Sequence, residues 1–201
     1  MASTRTSMGY MALEALLVVL GVTLAWGLNE WRTHQIEERQ ARDTLASLTE
    51  ELSANRAAVL ASYTYHVALT DTLRALIGRG APSSRQTFSE GFLARGTPLH
   101  AAWDAAEASG RLSYVADHLG EDTLLPYARV YQQQATYSEQ KGAVSGLIYE
   151  RLMDLGVLGM VQNYRNHTQI VASIAYLERE LLTLYNATLP DSTAIPPLFS
   201  P

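Results

Sequence analysis

The chain has 201 residues, fifteen Lys and Arg against twenty Asp and Glu, a formal net charge of −5 and no cysteine. That length fits one ordinary domain plus an attachment, and the lack of cysteine removes disulfide frameworks, thiolate zinc sites, iron–sulfur ligation and a cysteine nucleophile together. A mildly acidic balance with scattered arginines offers no footprint for a phosphate backbone, so no nucleic-acid partner is expected. Charged residues make up 17% of the chain beside 47% hydrophobic ones, against a usual charged share of about 25%, which points to a part of the chain lying outside water.

Residues 1–9 read as a short leader, and residues 10–28 account for the imbalance. The only acid or base in that run is Glu14. Nineteen residues at 1.5 Å each span roughly 28 Å, a match for a hydrocarbon core of about 30 Å, so a transmembrane helix is predicted. Tyr10 at one end and Trp26 and Trp31 at the other are the interface aromatics, amphipathic rings suited to the two membrane surfaces. Ala25 and Gly27 have the spacing of a secretory cleavage site, but the single Arg5 before the run and the run's length favour an uncleaved anchor.

Glu14, Val18, Gly21, Ala25 and Leu28 recur at steps of four and three and therefore share one face. Small residues let a second helix approach closely, and a membrane carboxyl on the same face seeks a donor there. Glu14, Val18, Gly21 and Ala25 are accordingly predicted to contact a partner helix. In the simpler alternative Glu14, about 6 Å inside Tyr10, snorkels to the interface. Basic residues flank the run on both sides, Arg5 before it and Arg32, Arg39 and Arg42 after it, and the anchor pattern favours a soluble part outside the cytoplasm.

Residues 29–189 are predicted to form an all-α, antiparallel helical bundle, entered by the membrane helix without a break. Residues 29–77 lack proline and glycine. Ala41, Leu45, Leu48, Leu52, Asn55, Val59, Ser62, His66, Leu69, Leu73 and Leu76 follow heptad steps, a seam that needs other helices to cover it. Glu37, Glu38, Arg39, Arg42, Glu50 and Glu51 lie mostly off the seam and read as a solvated face. A Gly, Pro and Ser-rich loop with one short helix is expected over 78–98. A helix over 99–109 follows, capped by Thr97 with Pro98 at its first position and stopped by Gly110. A short helix over 111–119 closes at Gly120. A long one runs from Asp122 to about residue 155, with Pro126 tolerated near its start. A tight turn at Gly156 or Gly159 leads to the last helix, 160–189, with Ile170, Ile174, Leu177, Leu181 and Leu184 on one stripe. No segment alternates as a strand would, and residues 190–201 form an extended Pro-containing tail.

No catalytic, cofactor-binding or metal site emerges from the motifs. The histidines at 34, 66, 100, 118 and 167 show no Glu-x-x-His or His-x-x-x-His spacing, so a di-metal bundle is disfavoured. Glu30 and His34 have the spacing of an exposed helical pair. His66, on the seam, reads first as a hydrogen-bonded core member. Ser138 and Lys141 match Ser-x-x-Lys, but the companion motifs are absent, and phosphate loops and nucleophile elbows are missing. The eleven tyrosines include Tyr127, Tyr131, Tyr137, Tyr149, Tyr164, Tyr176 and Tyr185 on the late helices, where such rings serve either bundle packing or a partner surface.

EALLVVLGVTLAWGLNEW from Glu14, the charged helix ending TLASLTEELSANR, and AAWDAAEASGRLSYV over 101–115 resemble an uncharacterised bacterial family of single-pass membrane proteins with helical soluble parts. Glu14, Val18, Val19, Gly21, Ala25, Asn29 and Trp31 carry the pattern. The scarcity of lysine and Trp26 within the span depart from it. The resemblance implies an anchored α-helical envelope protein and brings no activity with it; a bacterial inner-membrane anchor with the bundle on the periplasmic side is the expected placement. A non-enzymatic accessory or scaffold subunit of a larger membrane complex, for example a photosynthetic or respiratory assembly, is the leading expectation. A membrane-anchored sensory or ligand-binding module is the alternative.

Overall fold

The computed structural model describes residues 4–79, 96–162 and 164–198, with side chains placed from residue 10 onward except at 148, 149 and 151–165. Every regular element among them is helical: α1 (Thr4–Gly78), α2 (Ala101–Ala108), α3 (Arg111–Leu119), α4 (Glu121–Gln162) and α5 (Tyr164–Thr188). The 75 residues of α1 extend about 110 Å at 1.5 Å each. Residues 10–36 of α1 are exposed throughout, and its buried positions begin at Ala41.

Cross-helix bonds give the directions of the helices. Thr49 meets Tyr127 and Glu51 meets Tyr131, so α1 and α4 run parallel. Arg56 meets Asn186 and Ser62 meets Glu178, so α5 returns antiparallel to α1. Asn55 meets Leu99, Glu51 meets Ala102 and Glu37 meets His118, so the α2–α3 pair also runs down α1. The result is an up-down-up-down bundle in which α1, α3, α4 and α5 close a ring of neighbours. Short connections at Gly110 (φ 69°) and Gly120 (φ 93°) place the chain in left-handed conformations that glycine adopts without a Cβ penalty.

The seam is buried as its spacing requires. Ala41, Leu48, Leu52, Asn55, Val59, Ser62, His66, Leu69 and Leu73 are buried, with Leu45 and Leu76 half-buried. On α5 the stripe is centred one residue further on, at Val171, Ile174, Ala175, Glu178, Leu181, Leu182 and Tyr185. Ile170, Leu177 and Leu184 flank it, half-buried. The main apolar cluster, including Leu48, Leu52, Val59, Tyr63, Val130, Leu181 and Leu182, fills the bundle's middle, and a smaller one, Leu69, Leu73 and Val171, lies beyond it. A polar layer separates the two.

Three boundaries differ from expectation, each for a physical reason. First, α2 starts at Ala101, with His100 rather than Thr97 at the cap position. Asn55 accepts from the Leu99 amide and donates to its carbonyl, both at 2.8 Å, which holds that stretch extended against α1. The Glu51 carboxylate then accepts from the Ala102 amide at 2.8 Å, capping α2 from a neighbouring helix. Glu51 is thus a packing residue, not a member of the solvated face. Second, α4 starts at Glu121 rather than Asp122 and continues through Gly156 and Gly159 to Gln162, because a glycine inside a helix costs only about 1 kcal/mol. Third, α5 starts at Tyr164 rather than residue 160. The extended tail after Leu189 lies on the bundle and sets Ile195 and Leu198 against the main core. The short helix expected within 78–98 falls largely on 80–95, outside the described residues.

Candidate functional site

Two features stand out: the uncovered N-terminal half of α1 and the polar layer. From Glu14 to Ala41 is twenty-seven residues, about seven and a half turns, so the Glu14, Val18, Gly21, Ala25 face points away from the bundle core. Its continuation on α1, through Ala46, Ala54, Ala57 and Ala61, is exposed as well. Tyr10 is 78% exposed, Trp26 67% and Trp31 63%. A Cβ at Gly21 would meet no atom within 4 Å. Among the described residues α1 is the one helix long and apolar enough to cross a membrane. All the sequence-predicted contact residues therefore lie on one projecting rod, and the fold covers none of them.

The polar layer joins α1, α4 and α5. Glu178 of α5 is its centre and is wholly buried. Ser62 donates to its Oε1 at 2.6 Å and Tyr137 at 2.9 Å, while His66 Nδ1 lies 2.8 Å from Oε2. Lys141 donates to the Tyr137 hydroxyl at 3.1 Å and is itself buried. A buried carboxylate is tolerated only with such donors and a compensating cation. Burial pushes Lys141 below the usual lysine value, against the opposing pull of Glu178. Burial, then the charge and hydrogen bond of Glu178, push Tyr137 far above the usual tyrosine value.

Gly96 closes the layer from outside. Its φ is +69°, and a Cβ there would stand 2.5 Å from Ser62 Cβ and 2.8 Å from Ser62 Oγ. The backbone just before α2 therefore lies directly on Ser62.

Ser62, His66 and Glu178 hold the residue types of a hydrolytic triad but not its geometry. Both Ser62 Oγ, at 3.5 Å, and Glu178 are on the Nδ1 side of His66. A working triad divides nucleophile and carboxylate between the two ring nitrogens. Ser138, of the Ser-x-x-Lys match, is half-buried one helical position from Tyr137, while Lys141 points into the layer. His66 is the core histidine its seam position indicates. Glu178 is the residue the apolar stripe of α5 passes over, because a search for apolar spacing skips a carboxylate in the middle of a core face.

At the end of the bundle nearest the rod, His34 packs against His118 with tilted rings whose centres are 4.8 Å apart, and His118 Nε2 lies 3.3 Å from Glu37 Oε2. No three metal-ligating groups are gathered to hold an ion among the described residues. Tyr127, Tyr131, Tyr137 and Tyr185 are core residues, and their hydroxyls meet Thr49, Glu51, Glu178 and Gln134. Tyr176 is exposed; the side chains of Tyr149 and Tyr164 lie outside the described residues. No family model matches the chain, and no curated protein or solved structure is significantly similar to it.

Proposed function

We propose that this chain is a non-enzymatic accessory or scaffold subunit of a larger membrane complex, anchored in a bacterial inner membrane by α1 with the bundle on the periplasmic side. The observation that carries the reading is the projecting, uncovered stretch of α1, whose Glu14, Val18, Gly21, Ala25 face looks away from its own bundle. An apolar rod of that length cannot stay in water, and a small-residue face carrying a carboxyl favours a second helix over lipid alone. The polar layer supports the same reading from the other side. Its Ser62, His66, Tyr137, Lys141 and Glu178 are buried and linked to one another by hydrogen bonds, as suits a rigid body that positions partners.

The test is affinity capture of the tagged chain from native membranes in mild detergent, with mass spectrometry, comparing the wild type with Gly21→Leu. A defined set of membrane subunits that the substitution releases is the expected result. Capture of the chain alone refutes the reading.

The ligand-binding alternative draws on an open apolar groove of about 500 Å³ between α4 and α5, lined by Gln140, Ala143, Val144, Ser173, Tyr176 and Leu177. Its volume falls within the usual range for small-molecule sites. A ligand that raises Tm in a thermal-shift screen, with the rise lost in Tyr176→Ala, would favour it.

A further inference from the structure

The tail after α5 is held in a way that differs from core packing: its anchors grip main chain. Asn186 donates from Nδ2 to the Thr193 carbonyl at 2.7 Å and accepts from the Thr193 amide at 3.0 Å. Tyr63 donates to the Pro196 carbonyl at 2.8 Å. Arg56 donates to the Asp191 carbonyl and, at 2.8 Å, to the Asp191 carboxylate. Arg56 is buried while Asp191 is 72% exposed, so the incoming side rests on the surface. Among the described residues after Leu189, Ile195 and Leu198 place side chains against the core. Between them stand Pro196 and Pro197, with trans peptide bonds.

Arg56 and Tyr63 are one heptad apart on α1, and Asn186 faces them from α5. Together they form a groove that reads an extended backbone at three points and takes two aliphatic side chains three residues apart. Such recognition suits a proline-containing extended segment, whose backbone is already stiff and whose carbonyls are free to accept. It makes few demands on side chains.

We propose that this α1–α5 groove is a peptide-binding site for an extended segment of a partner protein, aliphatic-Pro-Pro-aliphatic in character, which the chain's own tail fills in cis. The partner's segment displaces the tail by pivoting it at Leu189 and Pro190, where α5 ends. The tail acts as a tethered competitor and sets the threshold for binding. The inference goes beyond the membrane-docking reading and does not depend on it, since the groove lies on the bundle and not on the projecting rod.

The experiment uses the full chain in detergent micelles and a fluorescein-labelled peptide of residues 190–198, PDSTAIPPL, followed by anisotropy. Ile195→Asp/Leu198→Asp in the chain releases the tail. The peptide is expected to bind this variant at least about tenfold more tightly than the wild type, because the tethered competitor is gone. Adding Asn186→Ala is expected to abolish the gain. Should the aspartates lower helix content, Thr193→Pro releases the tail by deleting the amide that Asn186 accepts, without adding charge. Failure of the peptide to bind either folded variant overturns the proposal, as does binding indifferent to Asn186→Ala. A dimer of the unmodified chain that Thr193→Pro dissolves assigns the groove to the tail of a second copy and equally overturns it.

Discussion

His66 Nδ1 and Glu178 Oε2 lie 2.8 Å apart, and neither side chain reaches solvent. The pair ties α1 to the antiparallel α5 at the level where the two apolar clusters part. Around it Ser62, Tyr137 and Lys141 complete a layer in which removing Glu178 takes away the acceptor of the buried Ser62 and Tyr137 hydroxyls.

The dependence of Lys141 on Glu178 is the first testable consequence. Glu178→Gln removes the negative charge that offsets the burial of Lys141, and a loss of about 3 kcal/mol is expected in denaturant unfolding. Lys141→Met added to it is expected to restore a large part, because the buried charge that Glu178 offset is gone. In Glu178→Gln alone, stability should rise as pH climbs towards the ordinary lysine value of 10.5, since the unfolded chain then holds more protons than the folded one. Lys141→Met should flatten that rise; additive losses in the double variant would show the two residues uncoupled.

Alkaline behaviour follows from the buried tyrosines. Burial pushes Tyr131, Tyr137 and Tyr185 far above the ordinary value of 10.0, aided at Tyr131 by its hydrogen bond to Glu51. A raised folded value stabilises fully below about pH 10 and is lost as pH rises above it, because the unfolded chain releases protons that the folded one keeps. Unfolding monitored by circular dichroism is expected to coincide with the late phase of phenolate absorbance. A smooth phenolate titration preceding any loss of helix would refute this.

Gly96 is predicted to resist substitution for two separate reasons. Gly96→Ala places a methyl 2.5 Å from Ser62 Cβ at a positive φ, and a loss of about 1–3 kcal/mol is expected. Ser62→Ala added to it should give at most partial relief, since it removes the 2.8 Å clash with Oγ but leaves the 2.5 Å clash with Cβ. Ser62→Gly should recover part of the loss and leave the backbone strain. Equal Tm values for Gly96→Ala and wild type would contradict the close approach.

Glu51 serves two helices. It accepts from the Tyr131 hydroxyl through Oε1 and from the α2 amide of Ala102 through Oε2, each at 2.8 Å. Glu51→Ala is therefore expected to cost about 1–2 kcal/mol. Faster amide exchange at the start of α2 would accompany it, whereas a purely solvated glutamate would leave both measurements unchanged.

The sequence by itself determined the helical class, the unbroken rod from apolar run to bundle, and the buried face of α1. These follow from composition and from periods that any helix of this sequence must present. It also placed Gly110 and Gly120 at helix ends, because a left-handed residue favours glycine before any tertiary contact forms. It put His66 inside the bundle, since a heptad seam needs covering whatever covers it.

What lay across from that seam was decided only by tertiary structure. Glu178 is 112 residues from His66, and no local pattern marks a lone acid on an apolar stripe as the acceptor of a distant histidine, serine and tyrosine. Glu51 looked like surface because its two acceptor oxygens gain their role only when α2 and α4 arrive beside it. The start of α2 moved for the same reason: Asn55 takes both polar groups of Leu99, and that long-range pairing outweighs a local cap at Thr97. The tail could be read as extended, but its place on Arg56, Tyr63 and Asn186 required the antiparallel meeting of α1 and α5. Periodicity is a property of one helix, whereas the partners of a buried charge belong to the packing of several.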